Sequence, residues 1–280
     1  MEIRLAKTAG FCFGVNRAVE LTYNLLNEGH KVATLGPLIH NPQAVADMER
    51  RGALVADTVD DIPTGYEVII RSHGVPRTIY DTLEQRGLVY HDATCPFVKK
   101  IHRIVEQKST EGYHVIVVGD PKHPEVEGIV GWCQGPVTVL ETPEQAENFV
   151  KTEGEKLCIV SQTTYNYNKF QYIVEIFEKK GYNDSVVNTI CNATEERQRS
   201  AKAIAAEADV MIVIGGKHSS NSRKLYEICQ RECVHTYFIQ TLDDLHLDLP
   251  KAVRLVGITA GASTPNKLIE EVQNYVRINF

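Results

Sequence analysis

The chain has 280 residues, 43% of them hydrophobic, and a formal net charge of −6 at neutral pH. It is long enough to bury one large core or several smaller ones. The acidic balance and the lack of a long Lys/Arg run argue against nucleic acid or an anionic membrane as the main partner. The longest apolar stretches have the length of strands, so we expect no segment that spans a bilayer.

Short apolar strands alternate with amphipathic helices along the whole chain. The strands are predicted at residues 3–7, 31–35, 68–71, 88–91, 114–118, 157–160, 186–190, 210–214 and 255–258. Helices are predicted after Cys12 as far as Gly29, at 43–51 and 76–87, after Cys95, and at 166–180 and 193–208. Continuous apolar strands between helices indicate an α/β protein with parallel sheets covered on both faces.

A pattern of one cysteine and two polar residues occurs three times. Cys12, Cys95 and Cys191 each precede a predicted helix, and 28 residues later come His40, His123 and Ser219. Each of these follows by four residues a glycine that closes an apolar strand. A second polar residue ends another strand in each copy: His73, Thr163 and Ser263. We interpret the pattern as one structural unit used three times.

Three similar units predict three small α/β lobes in a pseudo-threefold arrangement around a central cavity. The expected boundaries are residues 1–93, 94–189 and 190–280. Ligands of parallel sheets bind beyond the carboxyl ends of the strands, and every residue of the repeated pattern lies at such an end. The sequence therefore predicts one shared site built from all three copies.

The cysteines indicate metal or redox chemistry rather than a disulfide framework. Their number is odd, seven, and they are spread through a chain of ordinary size. No Cys-x-x-Cys pair is present among the three repeated cysteines, which excludes a zinc ribbon or a ferredoxin-type run. Three thiolates could hold three irons of a cubane cluster, leaving the fourth iron open to substrate. The alternative is that they are small buried thiols, the role we expect for Cys133, Cys158, Cys229 and Cys233.

The polar residues of the pattern are typical of an anion site. Histidines and small hydroxyl residues at glycine-rich helix starts favour a phosphate or diphosphate. These candidates are His40, His73, His123, Ser219, Ser220, Asn221 and Ser263. Glu125 is a candidate general acid, or alternatively a favourable contact with a helix start. The His-x-Glu at residue 123 lacks the downstream Pro-Cys-x-x-Cys of zinc deaminases, and no nucleotide-binding glycine motif is present.

The motifs together resemble the family of 4-hydroxy-3-methylbut-2-enyl diphosphate reductases, the last enzymes of the non-mevalonate isoprenoid pathway. They are Ala-Gly-Phe-Cys12-Phe-Gly-Val, Asp-Ala-Thr-Cys95-Pro, His123-Pro-Glu125, Ser-Gln-Thr163-Thr, Ser219-Ser-Asn221-Ser and Thr-Ala-Gly-Ala-Ser263-Thr-Pro. The resemblance runs from end to end. It implies a three-lobed fold in which residues 1–13 pack with the third lobe.

The resemblance also implies a cofactor, a reaction and partners. Cys12, Cys95 and Cys191 would hold one 4Fe-4S cluster, and the histidines, serines, Asn221 and Thr163 would surround the diphosphate. Glu125 would deliver a proton and Thr163 would relay or orient the substrate hydroxyl. The reaction would be reductive loss of an allylic hydroxyl, with electrons from a ferredoxin or flavodoxin. Independently of the resemblance, the N-terminal residues show neither a signal h-region nor a transit segment, so we expect the cytoplasm as the compartment. A non-catalytic iron–sulfur sensor with an anion-binding pocket is the alternative.

Overall fold

The computed structural model of the protein describes residues 1–182, 184–246 and 253–279. Its strands are β1 Glu2–Leu5, β2 Val32–Leu35, β3 Leu54–Ala56, β4 Glu67–Ile70, β5 Tyr90–Asp92, β6 Tyr113–Val118, β7 Val137–Leu140, β8 Lys156–Ser161, β9 Ser185–Val186, β10 Val210–Ile214, β11 Thr236–Ile239 and β12 Leu255–Ala260. Its α-helices are α1 Phe13–Asn27, α2 Pro42–Arg50, α3 Arg77–Gln85, α4 Pro96–Thr110, α5 Pro124–Val130, α6 Pro143–Asn148, α7 Tyr167–Lys179, α8 Asn192–Ala205, α9 Ser220–Glu232 and α10 Asn266–Asn279.

The strands form three parallel sheets of four strands each within the described residues. The first sheet has the order β3-β2-β4-β5, the second β7-β6-β8-β9, and the third β1-β12-β10-β11. Read from the opposite edge, the third sheet repeats the order of the other two, with β1 in the place of β5 and β9. The predicted α/β class with parallel sheets is confirmed, and the N-terminal strand pairs with β12 of the third sheet.

The strand before each cysteine belongs to a different sheet from the strand that comes next in the chain after the cysteine. β5 precedes Cys95 and pairs with β4, whereas β9 precedes Cys191 and pairs with β8. β1 precedes Cys12 and pairs with β12. Each cysteine therefore stands where the chain leaves one sheet and enters the helix that leads to another.

The chain divides into two compact units. One consists of Met1–Asn16, Ile39–Asp47 and Asn192–Phe280 and contains the third sheet. The other consists of Arg17–Leu38 and Met48–Cys191 and contains the first and second sheets. The boundaries after residues 93 and 189 stay a prediction.

Central strands are buried because helices cover both faces of the second and third sheets. On the second sheet, α4 and α5 pack on one face and α7 on the other, around Ile101, Val126 and Phe170. On the third sheet, α10 packs on one face and α8 with α9 on the other. No helix in the described part of the chain is long and apolar enough to cross a membrane.

Candidate active site

The three repeated cysteines have the same backbone setting. Each lies directly before a helix: Cys12 before α1, Cys95 before α4 and Cys191 before α8. The backbone N–H groups of Cys12, Cys95 and Cys191 donate to the carbonyl oxygens of Ala262, Ser72 and Thr163 at 3.1, 3.0 and 3.1 Å, respectively. Each acceptor lies two residues beyond the end of its strand, β12, β4 or β8. The repeat inferred from the sequence is therefore present in the backbone hydrogen bonds.

One member of the predicted repeat, Thr163, lies at a different distance from the end of its strand than the other two. Thr163 lies two residues beyond β8, whereas His73 and Ser263 lie three residues beyond β4 and β12. The residue that corresponds to His73 and Ser263 is Thr164. This difference is found by counting residues from the end of each strand rather than by matching polar residue types.

The four other cysteines differ in their chemical setting. Cys158, Cys229 and Cys233 are buried, and none of the seven cysteines lies in a disulfide. Burial raises the pKa of Cys133 and of Cys229 to about 12, and it also raises the pKa of Cys158. A raised pKa disfavours the thiolate that ligates metal, so these cysteines suit packing. Cys12, Cys95 and Cys191 are half-buried, as is Cys133, but only these three lie directly before helices that begin at Phe13, Pro96 and Asn192.

Glu125 and Thr163 form a buried pair in the unit that contains the first two sheets. The Thr163 backbone N–H donates to Glu125 Oε1 at 2.6 Å, and the Thr163 hydroxyl donates to Oε2 at 2.8 Å. Glu125 is 2% exposed, and burial raises its pKa to about 7 despite both hydrogen bonds. A carboxylic acid with this pKa can hold or release a proton near neutral pH.

His123 is the N-cap residue of α5. The backbone N–H of Glu125 donates to His123 Nδ1 at 3.1 Å, so this ring nitrogen carries no proton. The ring of His73, in the loop after β4, lies edge-on to the ring of His123 with 5.4 Å between centroids. This unit therefore brings together two predicted histidines with the predicted acid.

In the other unit, the start of α9 carries the predicted serine and asparagine residues. Ser219 is the N-cap, and its hydroxyl oxygen accepts from the Ser222 N–H at 3.3 Å. Asn221 is 4% exposed, and neither its Oδ1 nor its Nδ2 has a hydrogen-bond partner among the described residues. Buried amides without partners are costly, so this side chain needs a polar ligand.

His40 and Ser263 lie together in the same unit. The Ser263 hydroxyl donates to the His40 carbonyl oxygen at 3.2 Å. A Cβ atom on Gly216 would lie 2.4 Å from that oxygen, so the loop before α9 approaches His40 as only glycine permits. The buried guanidinium of Arg197, which the sequence did not single out, donates to the Ala260 carbonyl oxygen at 2.7 Å. It adds positive charge at the end of β12.

Gln162 is a further residue that the sequence did not reveal. Its side chain is 1% exposed, donates to the Thr164 hydroxyl at 3.1 Å, and accepts from the Asp120 N–H at 3.1 Å. It thus joins the loop after β8 to the loop after β6. A polar residue directly after an apolar strand was the available signal.

The chain is similar to known proteins over nearly its whole length. The family model described as LytB protein matches residues 3–277. The 4-hydroxy-3-methylbut-2-enyl diphosphate reductases of Caldanaerobacter subterraneus subsp. tengcongensis and Clostridioides difficile are 46% and 47% identical over 276 and 277 residues. These matches cover 97% and 99% of this chain and 95% and 99% of those proteins.

Solved structures agree. The E-1-hydroxy-2-methyl-but-2-enyl-4-diphosphate reductase of Plasmodium falciparum matches 98% of this chain and 87% of its own with a TM-score of 0.92 at 29% identity. A second structure, an (E)-4-hydroxy-3-methyl-but-2-enyl diphosphate reductase described as the terminal enzyme of the non-mevalonate pathway, matches 99% of both chains with a TM-score of 0.71 at 44% identity. Since the family model covers nearly the whole chain and the relatives match end to end, this chain belongs to the LytB protein family.

Proposed function

We propose that this protein is a reductase that removes the allylic hydroxyl of 4-hydroxy-3-methylbut-2-enyl diphosphate, giving isopentenyl and dimethylallyl diphosphates. The observation that carries the proposal is the buried acid Glu125, bonded to Thr163, in a chain whose relatives at 46% and 47% identity bear the name of this reductase. The reaction consumes two electrons and two protons for each hydroxyl lost as water. A protein that performs it needs a proton donor shielded from solvent.

Glu125 meets that requirement. Below about pH 7 its carboxyl group is protonated, and its burial excludes bulk water. Hydroxide is a poor leaving group from carbon, so protonation of the departing oxygen lowers the barrier. The Thr163 hydroxyl, 2.8 Å from Glu125 Oε2, can pass the proton on or hold the substrate hydroxyl in place. We assign both residues to the departure of water.

The remaining polar residues suit the diphosphate. Asn221 has buried donor and acceptor atoms without partners among the described residues, and Ser219 and Ser220 begin α9. The positive end of a helix of 13 residues favours negative charge. We assign His40, His73, His123, Ser219, Ser220, Asn221 and Ser263 to substrate binding, together with Thr163.

Cys12, Cys95 and Cys191 fit a 4Fe-4S cluster as its three protein ligands. They are half-buried, and each starts a helix, the position at which thiolates are stabilised. A cluster held by three thiolates would supply the electrons and one iron with an open position that acts as a Lewis acid. The burial of Cys158, Cys229 and Cys233 sets them apart from this role.

The electrons come from outside the chain in this proposal. We expect a small electron-transfer protein such as a ferredoxin or flavodoxin as donor. We expect the cytoplasm as the compartment, because reduced thiols persist there. Nucleic acid and membrane have no part in the proposed activity.

A non-catalytic sensor needs neither a buried acid nor a diphosphate site, so the paired Glu125 and Thr163 favour the reductase. The test is made on anaerobically purified protein with roughly four irons per chain, the content of a cubane cluster. Given a strong reductant and the allylic diphosphate, it should consume the substrate and form both products. Protein with a full cluster that leaves the substrate unchanged would refute the reductase and leave the sensor.

A further inference from the structure

Helix α5 carries the proposed acid near its start and contacts the His73 loop at its end. The Trp132 Nε1–H, just beyond α5, donates to the Val75 carbonyl oxygen at 3.0 Å. The Arg77 backbone N–H donates in turn to the Gly131 carbonyl oxygen at 3.4 Å. Since Val75 lies two residues after His73, these bonds attach the loop to the end of the helix.

Two glycines allow the loop to lie directly on α4 and α5. A Cβ atom on Gly131 would lie 2.4 Å from Pro76 Cβ, which no real contact permits. Gly74 has a φ of +74°, and its Cβ atom would lie 2.6 Å from His102 Cε1 on α4. The loop therefore has little freedom to move unless the helices move with it.

Trp132 is held in place by aromatic neighbours. The ring of His102 stacks on Trp132 with 5.2 Å between centroids and 18° between planes. His102 is 3% exposed, and burial lowers its pKa to about 4, so the ring is neutral at physiological pH. Tyr80 of α3 meets Trp132 edge-on at 5.8 Å. Stacked and edge-on aromatic pairs have preferred geometries, so Trp132 is restrained from two helices.

The position of α5 sets the geometry of the candidate site. His123 is the N-cap of this helix and Glu125 is in its first turn, while the His73 ring lies 5.4 Å from the His123 ring. In the middle of α5, a Cβ atom on Gly128 would lie 3.6 Å from the His73 carbonyl oxygen. The helix has seven residues, about 10 Å, so a tilt at its end displaces its start.

We infer that Trp132, whose ring stacks on His102, is a positioning residue. It fixes the His73 loop relative to α5, the helix that has His123 as its N-cap and Glu125 in its first turn. The inference rests on the proposed function, which makes those three residues part of one reaction. Trp132 touches none of the reacting groups in this assignment. It acts through His73.

The test is a double-mutant cycle with turnover as the readout. Trp132→Phe keeps an aromatic ring but removes the bond to Val75, so kcat/KM should fall roughly ten-fold, the effect of one hydrogen bond to a buried carbonyl. In the His73→Asn background the same change should have less than about a two-fold effect, because the residue through which it acts is gone. In the Ser219→Ala background the full loss should remain. Tyr80→Phe is the matched control, since its hydroxyl bonds Asp92 rather than the loop, and it should leave turnover unchanged.

Either of two results would overturn the inference: unchanged kinetics of Trp132→Phe, or an equal loss in the His73→Asn background. If Trp132→Phe does not fold, His102→Ala removes the stacking partner while leaving the Val75 bond, and the same cycle applies. An inactive wild type would instead refute the proposed function.

Fluorescence tests the contact between Trp132 and the His73 loop without a turnover assay. Trp132 is the only tryptophan in the chain, so its emission reports this position alone. Inorganic pyrophosphate, at concentrations that saturate each protein, should change the emission of the wild type, and the change should be lost in His73→Asn. Emission that responds equally in both proteins would count against coupling through His73.

Discussion

Replacing Glu125 with glutamine separates the acid from its hydrogen bonds. Glutamine Oε1 can still accept from the Thr163 N–H, and its amide group can donate to the Thr163 hydroxyl where the carboxylate now accepts. The fold and the proposed cluster should therefore persist. Since only the transferable proton is lost, turnover should fall by ~10²-fold or more, the usual contribution of a general acid.

The pH dependence of the turnover rate gives a second test of Glu125 as the acid. With a pKa of about 7, half of Glu125 is protonated at that pH. The wild-type rate should be level at lower pH and fall about ten-fold per unit well above pH 7. Glu125→Gln should lack this decline. Glu127→Gln, an exposed neighbour on the same helix, is the control and should keep both the rate and the profile.

Glu125→Gln should lower turnover but make the folded protein more stable at high pH. The raised pKa means that the folded state favours protonated Glu125. Its contribution to stability is therefore complete below the usual pKa of 4.5 and is lost as the pH rises to about 7. A shift of this size corresponds to up to about 3 kcal/mol. At pH 8 the glutamine variant should thus be more stable than the wild type, with little difference at pH 4.

The assays are anaerobic turnover, iron content and urea unfolding on the same preparations. Near-normal turnover of Glu125→Gln, or a decline near pH 7 that survives in it, would remove Glu125 from proton transfer. Loss of iron would make its role structural.

The other predictions concern the cluster and the diphosphate. Serine at Cys12, Cys95 or Cys191 should remove most of the iron, while serine at Cys133, Cys158, Cys229 or Cys233 should keep it; an iron-free Cys229→Ser protein would contradict the ligand assignment. Prolonged exposure to air should abolish turnover and leave a three-iron form visible by electron paramagnetic resonance, because one iron has no thiolate; unchanged iron and activity would contradict this. Asn221→Ala should raise KM about ten- to hundred-fold at constant iron content, from lost bonds to a charged group; the exposed Asn24→Ala is its control, and an equal KM in both would exclude Asn221 from binding.

The long apolar strands were predictable because burial on both faces leaves a continuous run, as in β10. The edge strands β3, β7 and β11 were missed. They have three or four residues, and most of these are only partly buried, so no apolar run distinguishes them from loops.

The strand predicted at 186–190 shows another limit. It ends at Val186 because Thr189 takes over the hydrogen bonding: its hydroxyl donates to the Ser161 carbonyl oxygen at 2.6 Å and accepts from the Ser161 N–H at 2.7 Å. A side chain that replaces the strand ladder has no periodic signal.

Glu125 was predictable as an acid from its motif, but its bond to Thr163 was not. The two residues are 38 positions apart and follow different strands, β6 and β8, so only the pairing of those strands in the second sheet brings them together. The contacts of Trp132 with the His73 loop and α4 were missed for the same reason. Its partners Val75 and His102 come from separate segments, and no spacing in the sequence relates them.

The pairing of β1 with β12 has a consequence for biosynthesis. The Cys12 backbone N–H donates to the carbonyl oxygen of Ala262, about 250 residues later, so this setting cannot exist until nearly the whole chain has been made. At the usual 5–20 residues per second, the first cysteine waits roughly 10 to 50 s on the ribosome. Cys95 and Cys191 have their acceptors, Ser72 and Thr163, already synthesised when they emerge. The first of the three cysteines to be made is therefore the last to be placed, and insertion of the proposed cluster belongs after translation.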